Sequence, residues 1–383
     1  MQSKMKVSAR TLIQMAVAAS LVSAVSFLPA VAQQDTSSVD TQARVQAYKA
    51  WHEQVERLGP PTEGCFRITY PSTVFVKHAC GSGTSYVATR HMPSIHALAA
   101  GNTGNDYYAQ ASSAIKSVAG SFPSATGIKS VTSVYPDNEG SSAGEYTLQL
   151  NTNMAAGSNA LCTADSQKSG CYVWEQFVYG TDQGNNGNPT VLIQTWLFPS
   201  NPGAITTEAQ YEAFEEAVER MRCPSSWTKS VQGGGCYHNA VSTETVPLIA
   251  ASALANAKLE GTVTANGSDV GYLTFAGGSG TPTIETVSQS DTVADFAANW
   301  KGAEFNVVGD GGGSNANFNS GSSVTVNVAV NDGATSAPQC QGGASGTQFS
   351  GATGEGNNLT LGACTAKAGS STASPYIQFT ESN

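Results

Sequence analysis

The sequence predicts a mostly β protein, a sandwich or jelly roll with a few inserted helices, preceded by a small α+β N-terminal region. Three observations predict it. From about residue 131 apolar and polar residues alternate with period two, at 146–150, 173–179, 191–198, 271–276 and 303–308, and most cleanly in Val324, Val326, Val328 and Val330. Turn-rich stretches such as "GTDQGNNGNP" and "GDGGGSNANFNSGS" separate these runs. Helical spacing interrupts them in only three short places.

Taken in order, residues 1–32 carry Lys4, Lys6 and Arg10, an apolar run from Leu12 to Leu28, and then Pro29-Ala30-Val31-Ala32. That is the layout of a secretory signal peptide, with Gln33 as the first mature residue. No other stretch reaches the roughly 20 apolar residues of a membrane span. The expected product is therefore secreted, extracellular or periplasmic, without a membrane anchor. Residues 33–130 form the N-terminal region, a candidate prodomain. Asp40 can cap a helix to about Leu58, with Val45, Tyr48, Trp51, Val55 and Leu58 at helical spacing. Gly59-Pro60-Pro61 ends it, and "GCFRITYPSTVFVKHACG" reads as a hairpin closed by Cys65 and Cys80. A second helix is expected from about Asp106 to Val118.

Residues 131–383 form the β-sandwich domain. In it, Thr207-x-x-Gln210 is a capping-box pattern ahead of Tyr211, Phe214, Val218 and Met221. Pro247 opens a small apolar helix to about Ala255, and Asp291 caps another ending near Trp300. Export makes disulfides the natural state of the eight cysteines. Their clustering suggests neighbour pairs: Cys65 with Cys80, Cys162 with Cys171, Cys223 with Cys236, Cys340 with Cys364. No Cys-x-x-Cys occurs, so zinc is not expected, nor is any cofactor.

Charge is uneven. Residues 33–135 carry 8 Lys/Arg against 6 Asp/Glu, whereas residues 136–383 carry 7 against 22. So acidic a body does not suit a nucleic-acid partner. It fits work at low pH and plain solubility equally well. Nothing in the sequence assigns an oligomeric state.

Several motifs dissolve when weighed. Gly140-Ser141-Ser142-Ala143-Gly144 fits G-x-S-x-G, but it precedes a strand instead of joining a strand to a helix. His78, His91 and His96 share no tight ligand spacing. His238, in "CYHN", has no evident acid partner, and Asp310-Gly311-Gly312-Gly313-Ser314 lacks the alternating oxygens of an EF-hand loop.

Three strands hold the chemistry. In "WEQFVY", Trp174, Gln176 and Val178 share one face, and Glu175, Phe177 and Tyr179 the other. Gln194 and Trp196 share a face of "VLIQTWLF", and Glu304 and Asn306 a face of "GAEFNVV". If the apolar faces pack on a second sheet, Trp174, Gln176, Gln194, Trp196, Glu304 and Asn306 together present a polar groove with aromatic walls. Glu175 then points inward, where it needs a buried partner.

Over nearly the whole mature chain, "GCFRITYPSTVFVKHACG", "GSF", "LQLNTN", "WEQFVY", "IQTWLF" and "AEFNVVGDGGGSNANFN…TGEGNNLTL" resemble an uncharacterised family of secreted bacterial proteins. The three central strands resemble the concanavalin A-like sandwich of the glutamic peptidases, the eqolisins and neprosins. That resemblance implies a catalytic Gln and Glu at Gln176 and Glu304, or two Glu at Glu175 and Glu304. "IQTW" and "AEF" depart from the aromatic-rich and Ala-Glu-Trp strands of that pattern. The implied activity is acid endopeptidase: Glu304 takes a proton from the attacking water, and Gln176 or protonated Glu175 donates to the oxyanion. Gln194 and Asn306 orient the polypeptide, and Trp174 and Trp196 wall the cleft. A glycoside hydrolase using Glu175 with Glu304 on a polysaccharide, or a non-catalytic carbohydrate-binding sandwich, are the alternatives. The position of Glu304 relative to Glu175 and Gln176 separates them.

Overall fold

Val324, Val326, Val328 and Val330 are buried and alternate with half-buried neighbours, as a strand with one face on a core requires. They belong to a computed structural model in which residues 36–81, 106–135, 140–158, 162, 170–182, 188–231, 233–242, 246–276, 280–343 and 353–383 are described. The expected signal peptide, His91 and His96 lie outside those residues. The chain divides into two compact units, Met1–Glu53 and Gln54–Asn383. All the described residues of the first unit are helical, within α1 (Thr36–Leu58). Asp40 therefore lies inside this helix instead of ahead of it. Gly59, at φ 58°, ends it by donating its N–H to the Val55 carbonyl at 3.0 Å.

The second unit is built from three sheets, with strands numbered in chain order. The first sheet runs β2 (Val76–His78), β1 (Gly64–Thr69), β15 (Pro282–Ser290), β14 (Ser268–Ala276), β13 (Ala257–Thr262), β4 (Ser117–Thr126), β18 (Ser323–Asn331), β23 (Tyr376–Ser382) and β21 (Thr360–Leu361), with β22 (Thr365–Lys367) also on β23. The second runs β11 (Thr228–Ser230), β12 (Gly235–Val241), β10 (Thr190–Phe198), β9 (Tyr172–Gly180), β7 (Thr147–Thr152), β16 (Gly302–Val308), β3 (Tyr107–Gln110) and β19 (Gln339–Gly342), with β8 (Ala155–Ala156) on β9. A small third sheet runs β20 (Gly356–Asn357), β17 (Asn315–Phe318), β5 (Val131–Val134) and β6 (Ser141–Ala143). Only β17 with β20 is parallel among the described pairs.

The two large sheets face each other through an aromatic layer set into glycines. Gly261 and Gly271 are paired across β13 and β14, and a Cβ on Gly261 would lie 2.4 Å from the Phe177 ring of β9. A Cβ on Gly120 of β4 would lie 2.1 Å from Phe305 of β16. Side chains absent from one sheet thus make room for rings of the other, and Trp300 stacks on Phe177 at 6.0 Å. This is the β-sandwich expected from the alternation.

Residues 106–118 correct the expectation of a helix. They hold β3 and the start of β4, joined by a turn in which Ser112 Oγ and the Ser113 N–H donate to Asp332. Tyr108, Ala109, Ala111, Ile115 and Val118 are buried here and would also suit a helix face. But β3 fills the gap between β16 and β19, and β4 the gap between β13 and β18, so ladder bonds and burial outweigh local spacing. Residues 107–126 are thereby inner strands of both large sheets. α2 (Glu208–Arg220) forms as expected, with Thr207 and Gln210 in a reciprocal capping box. The helices expected after Pro247 and Asp291 contract to single 3₁₀ stretches, Ala251–Asn256 and Asp291–Val293. All four disulfides join the neighbouring cysteines: Cys65–Cys80, Cys162–Cys171, Cys223–Cys236 and Cys340–Cys364.

Candidate active site

One register line crosses the second sheet. Asn239, Gln194, Gln176, Asn151, Glu304 and Tyr108 are paired successively from β12 through β10, β9, β7 and β16 to β3. The neighbouring line, Ile193, Phe177, Leu150 and Phe305, turns its rings toward the first sheet. Strict pleating puts the polar line on the opposite face. There, Gln176 Nε2 donates to Asn151 Oδ1 at 2.8 Å and to Gln149 Oε1 at 3.1 Å. Asn151 Nδ2 donates to Glu304 Oε2 at 2.9 Å. Gln176 and Glu304, two strands apart, are thus joined by one amide. Asn151 and Gln149 are functional candidates that the three-strand comparison misses. Their signal stands in "TLQLNT", where a strand with Leu148 and Leu150 on one face carries two amides on the other.

The expected groove is not open. Trp174, Glu175, Gln176, Gln194, Trp196, Glu304 and Asn306 are all at most 4 % exposed. Trp174 and Trp196 lie in a cluster with Phe198, Tyr237 and Met154 beneath Phe214 and Val218 of α2. They are a helix-covered core, since indole area left in water would forfeit its burial energy. Each indole N–H is satisfied: Trp174 Nε1 by the Thr152 carbonyl at 2.9 Å, Trp196 Nε1 by Gln194 Oε1 at 2.7 Å. Gln194 in turn donates to Asn239 Oδ1 at 3.0 Å.

Glu175 points between the sheets, as expected, and does have partners. Thr195 Oγ1 donates to its Oε2 at 3.3 Å and Gln289 Nε2 to the same oxygen at 3.0 Å. Burial pushes its carboxyl up to about 8 and that of neighbouring Asp269 up to about 10. Glu175 and Glu304 project from opposite faces of one sheet. Opposite faces do not aim the two carboxyls at one bond, which speaks against the two-glutamate pair and the Glu175–Glu304 glycosidase pair.

Buried carboxyls that sequence reading did not single out gather at Glu304 and its neighbours Asn306 and Thr353. Burial, and then the charge of Asp106, push Glu304 well up, against the lowering effect of its bonds from Asn151 and the Thr353 N–H. Asp106 rises to about 7 by burial, while Asn306 Nδ2 donates to it at 2.7 Å. Glu381, from the first sheet, rises to about 8 by burial; it accepts from Asn306 at 3.3 Å and from Asn357 at 3.2 Å. Asn306 is thereby a clamp on two carboxyls. Glu355, also raised by burial, accepts from Thr353 Oγ1 and from the Gly313 N–H. Nothing in residue spacing foretells this gathering, because Asp106, Glu304, Glu355 and Glu381 come from four distant segments.

The remaining candidates stay apart from the row. Ser142 sits on β6 of the third sheet, with no helix after it. His238 packs its ring 5.8 Å from Trp227, and burial lowers its pKa. His78 pairs with the buried Glu285, which also holds Arg67 and Ser242. Asp310 joins Glu145 and Asp182 in a group whose carboxylate oxygens lie within 4.8 Å of one another, a donor set suited to a hard cation.

No protein-family model matches the sequence, and no curated protein does. Among solved structures, the chain is similar to scytalido-glutamic peptidase with a transition state analog inhibitor, at 12 % identity over 73 % of this chain and 96 % of that one, with a TM-score of 0.26.

Proposed function

We propose that this protein is a secreted, acid-acting endopeptidase of glutamic type, with Glu304 as its acid–base residue and Gln176 as the partner. The observation that carries the reading is the hydrogen-bonded line Gln176–Asn151–Glu304 on one sheet face. Burial and the charge of Asp106 raise the Glu304 carboxyl while the Asn151 and Thr353 N–H groups lower it, so the residues around it govern how it holds a proton, as an acid–base role needs. Glu304 takes a proton from the water that attacks the peptide carbonyl, and returns it to the leaving amine as the C–N bond breaks. Gln176 Oε1, buried and unpartnered, is the free acceptor that orients that water. Both Gln176 N–H groups are already given to Gln149 and Asn151, so donation to the oxyanion requires one of those bonds to be exchanged. The line is buried, so on this reading the fold has to open for substrate to reach it.

The test is incubation of the secreted protein with casein and with a polysaccharide panel from pH 2 to 8, alongside Glu304→Gln. Casein cleavage confined to acid and lost in the variant is expected. Full cleavage by Glu304→Gln, or release of sugars instead of peptides, sinks the reading.

A further inference from the structure

The amides in the line are not free to choose their orientation, and the reason begins at the main chain. The Gly309 carbonyl can only accept, so the Thr147 hydroxyl donates to it at 2.7 Å. Thr147 Oγ1, its proton spent, must accept, and Gln149 Nε2 faces it at 3.0 Å. Gln149 Oε1 is thereby turned to Gln176, which presents Nε2 at 3.1 Å and gives the second hydrogen of that nitrogen to Asn151 Oδ1 at 2.8 Å. Asn151 has then only its NH₂ left for Glu304, at 2.9 Å. A flip of any one amide would set like groups against each other, oxygen on oxygen or N–H on N–H, in a site without exposed side chains.

We propose that Asn151 is the positioning residue of this site, its amide locked from the Gly309 carbonyl through Thr147, Gln149 and Gln176 so that it can offer Glu304 only a donor. The inference rests on the reading of Glu304 as acid–base residue and adds how its proton is held. A fixed N–H favours the carboxylate over the neutral acid, opposing burial and the charge of Asp106. Among the charged and polar groups that face Glu304, Asp106 works the other way, and the Thr353 N–H works with Asn151. Asn151 sets the basicity that the attacking water meets and does not itself touch the reacting atoms.

The test reads Glu304 directly. The protonated-carboxyl infrared band that disappears in Glu304→Gln is titrated in the wild type, in Asn151→Leu and in Gln149→Leu. Loss of one charge-assisted donor moves the midpoint up by about 1 pH unit in Asn151→Leu. Gln149→Leu, which unlocks the amide without removing it, moves it the same way by less. Unshifted or lowered midpoints overturn the proposal, and Gln149→Leu keeps it testable where Asn151→Leu does not fold. The readout needs no substrate, so it fails separately from the endopeptidase reading. If Glu304→Gln abolishes casein cleavage while both leucine variants keep the wild-type pH profile, the function stands and the positioning role falls.

Discussion

Gln176 and Glu304 sit on β9 and β16, two strands apart, and meet through the single amide of Asn151. This arrangement gives Gln176 a structural task, because its one nitrogen satisfies two buried oxygens. Gln176→Leu leaves Gln149 Oε1 and Asn151 Oδ1 without a donor in a site closed to water. At about 1–3 kcal/mol per orphaned group, the variant should lose roughly 2–6 kcal/mol in urea unfolding at pH 4. An unchanged midpoint would show that the line relaxes around its loss.

The carboxyls predict an acid-stable fold. Asp106 is raised to about 7, Glu175 and Glu381 to about 8 and Asp269 to about 10, in each case chiefly by burial. In the unfolded chain they ionise near pH 4. Below that, each is neutral in both states and stability is complete. As pH rises from about 4 through 7 to 8, the unfolded chain releases protons that the fold retains, so stability falls. The melting temperature should drop by roughly 10 °C between pH 4 and pH 8. A melting temperature that climbs toward neutrality would contradict the raised pKa values.

Trp174 and Trp196 give the third prediction, since a cleft wall and a core ring respond differently to the same mutation. Phe214 and Val218 of α2 share one buried cluster with both indoles. Phe214→Ala should cost about 3–5 kcal/mol as a cavity opens over the rings. It should also raise quenching of tryptophan fluorescence by acrylamide, which in the wild type should be weak for these two buried indoles. If the wild-type indoles are already quenched freely, α2 does not seal them.

The sandwich is legible in the sequence because period-two alternation reports one buried face, and the runs at 146–150, 173–179, 191–198, 271–276, 303–308 and 324–330 all become strands. The faces of Gln176, Gln194, Glu304 and Asn306 are legible for the same reason. What alternation does not say is whether the second face is wet. Here α2 covers part of it, so the tryptophans that suggest a cleft are packed. Residues 106–118 mislead because their apolar spacing suits a helix until neighbouring strands are there to be joined. The acids near this row are illegible in principle: Asp106 reaches Glu304, and Glu381 reaches Asn306, only through long-range pairing.

The fourth prediction links packing to the site. Gly120 of β4 has no side chain because Phe305 occupies the space, with Phe305 also against Phe122 at 5.1 Å between centroids. Phe305 lies between Glu304 and Asn306, so a push on its ring is transmitted to the strand that carries both. Gly120→Ala places a methyl 2.1 Å from that ring, and the ring or β16 has to move. The overpacking should cost about 1–3 kcal/mol and lower casein cleavage although Gly120 is on the other sheet. Phe305→Leu alone should also destabilise, by leaving a void above Gly120. Combined, the two changes should cost less than their sum, because the added methyl fills space the smaller side chain vacates. Additive losses in that double-mutant cycle would mean that Gly120 and Phe305 do not share the space assigned to them.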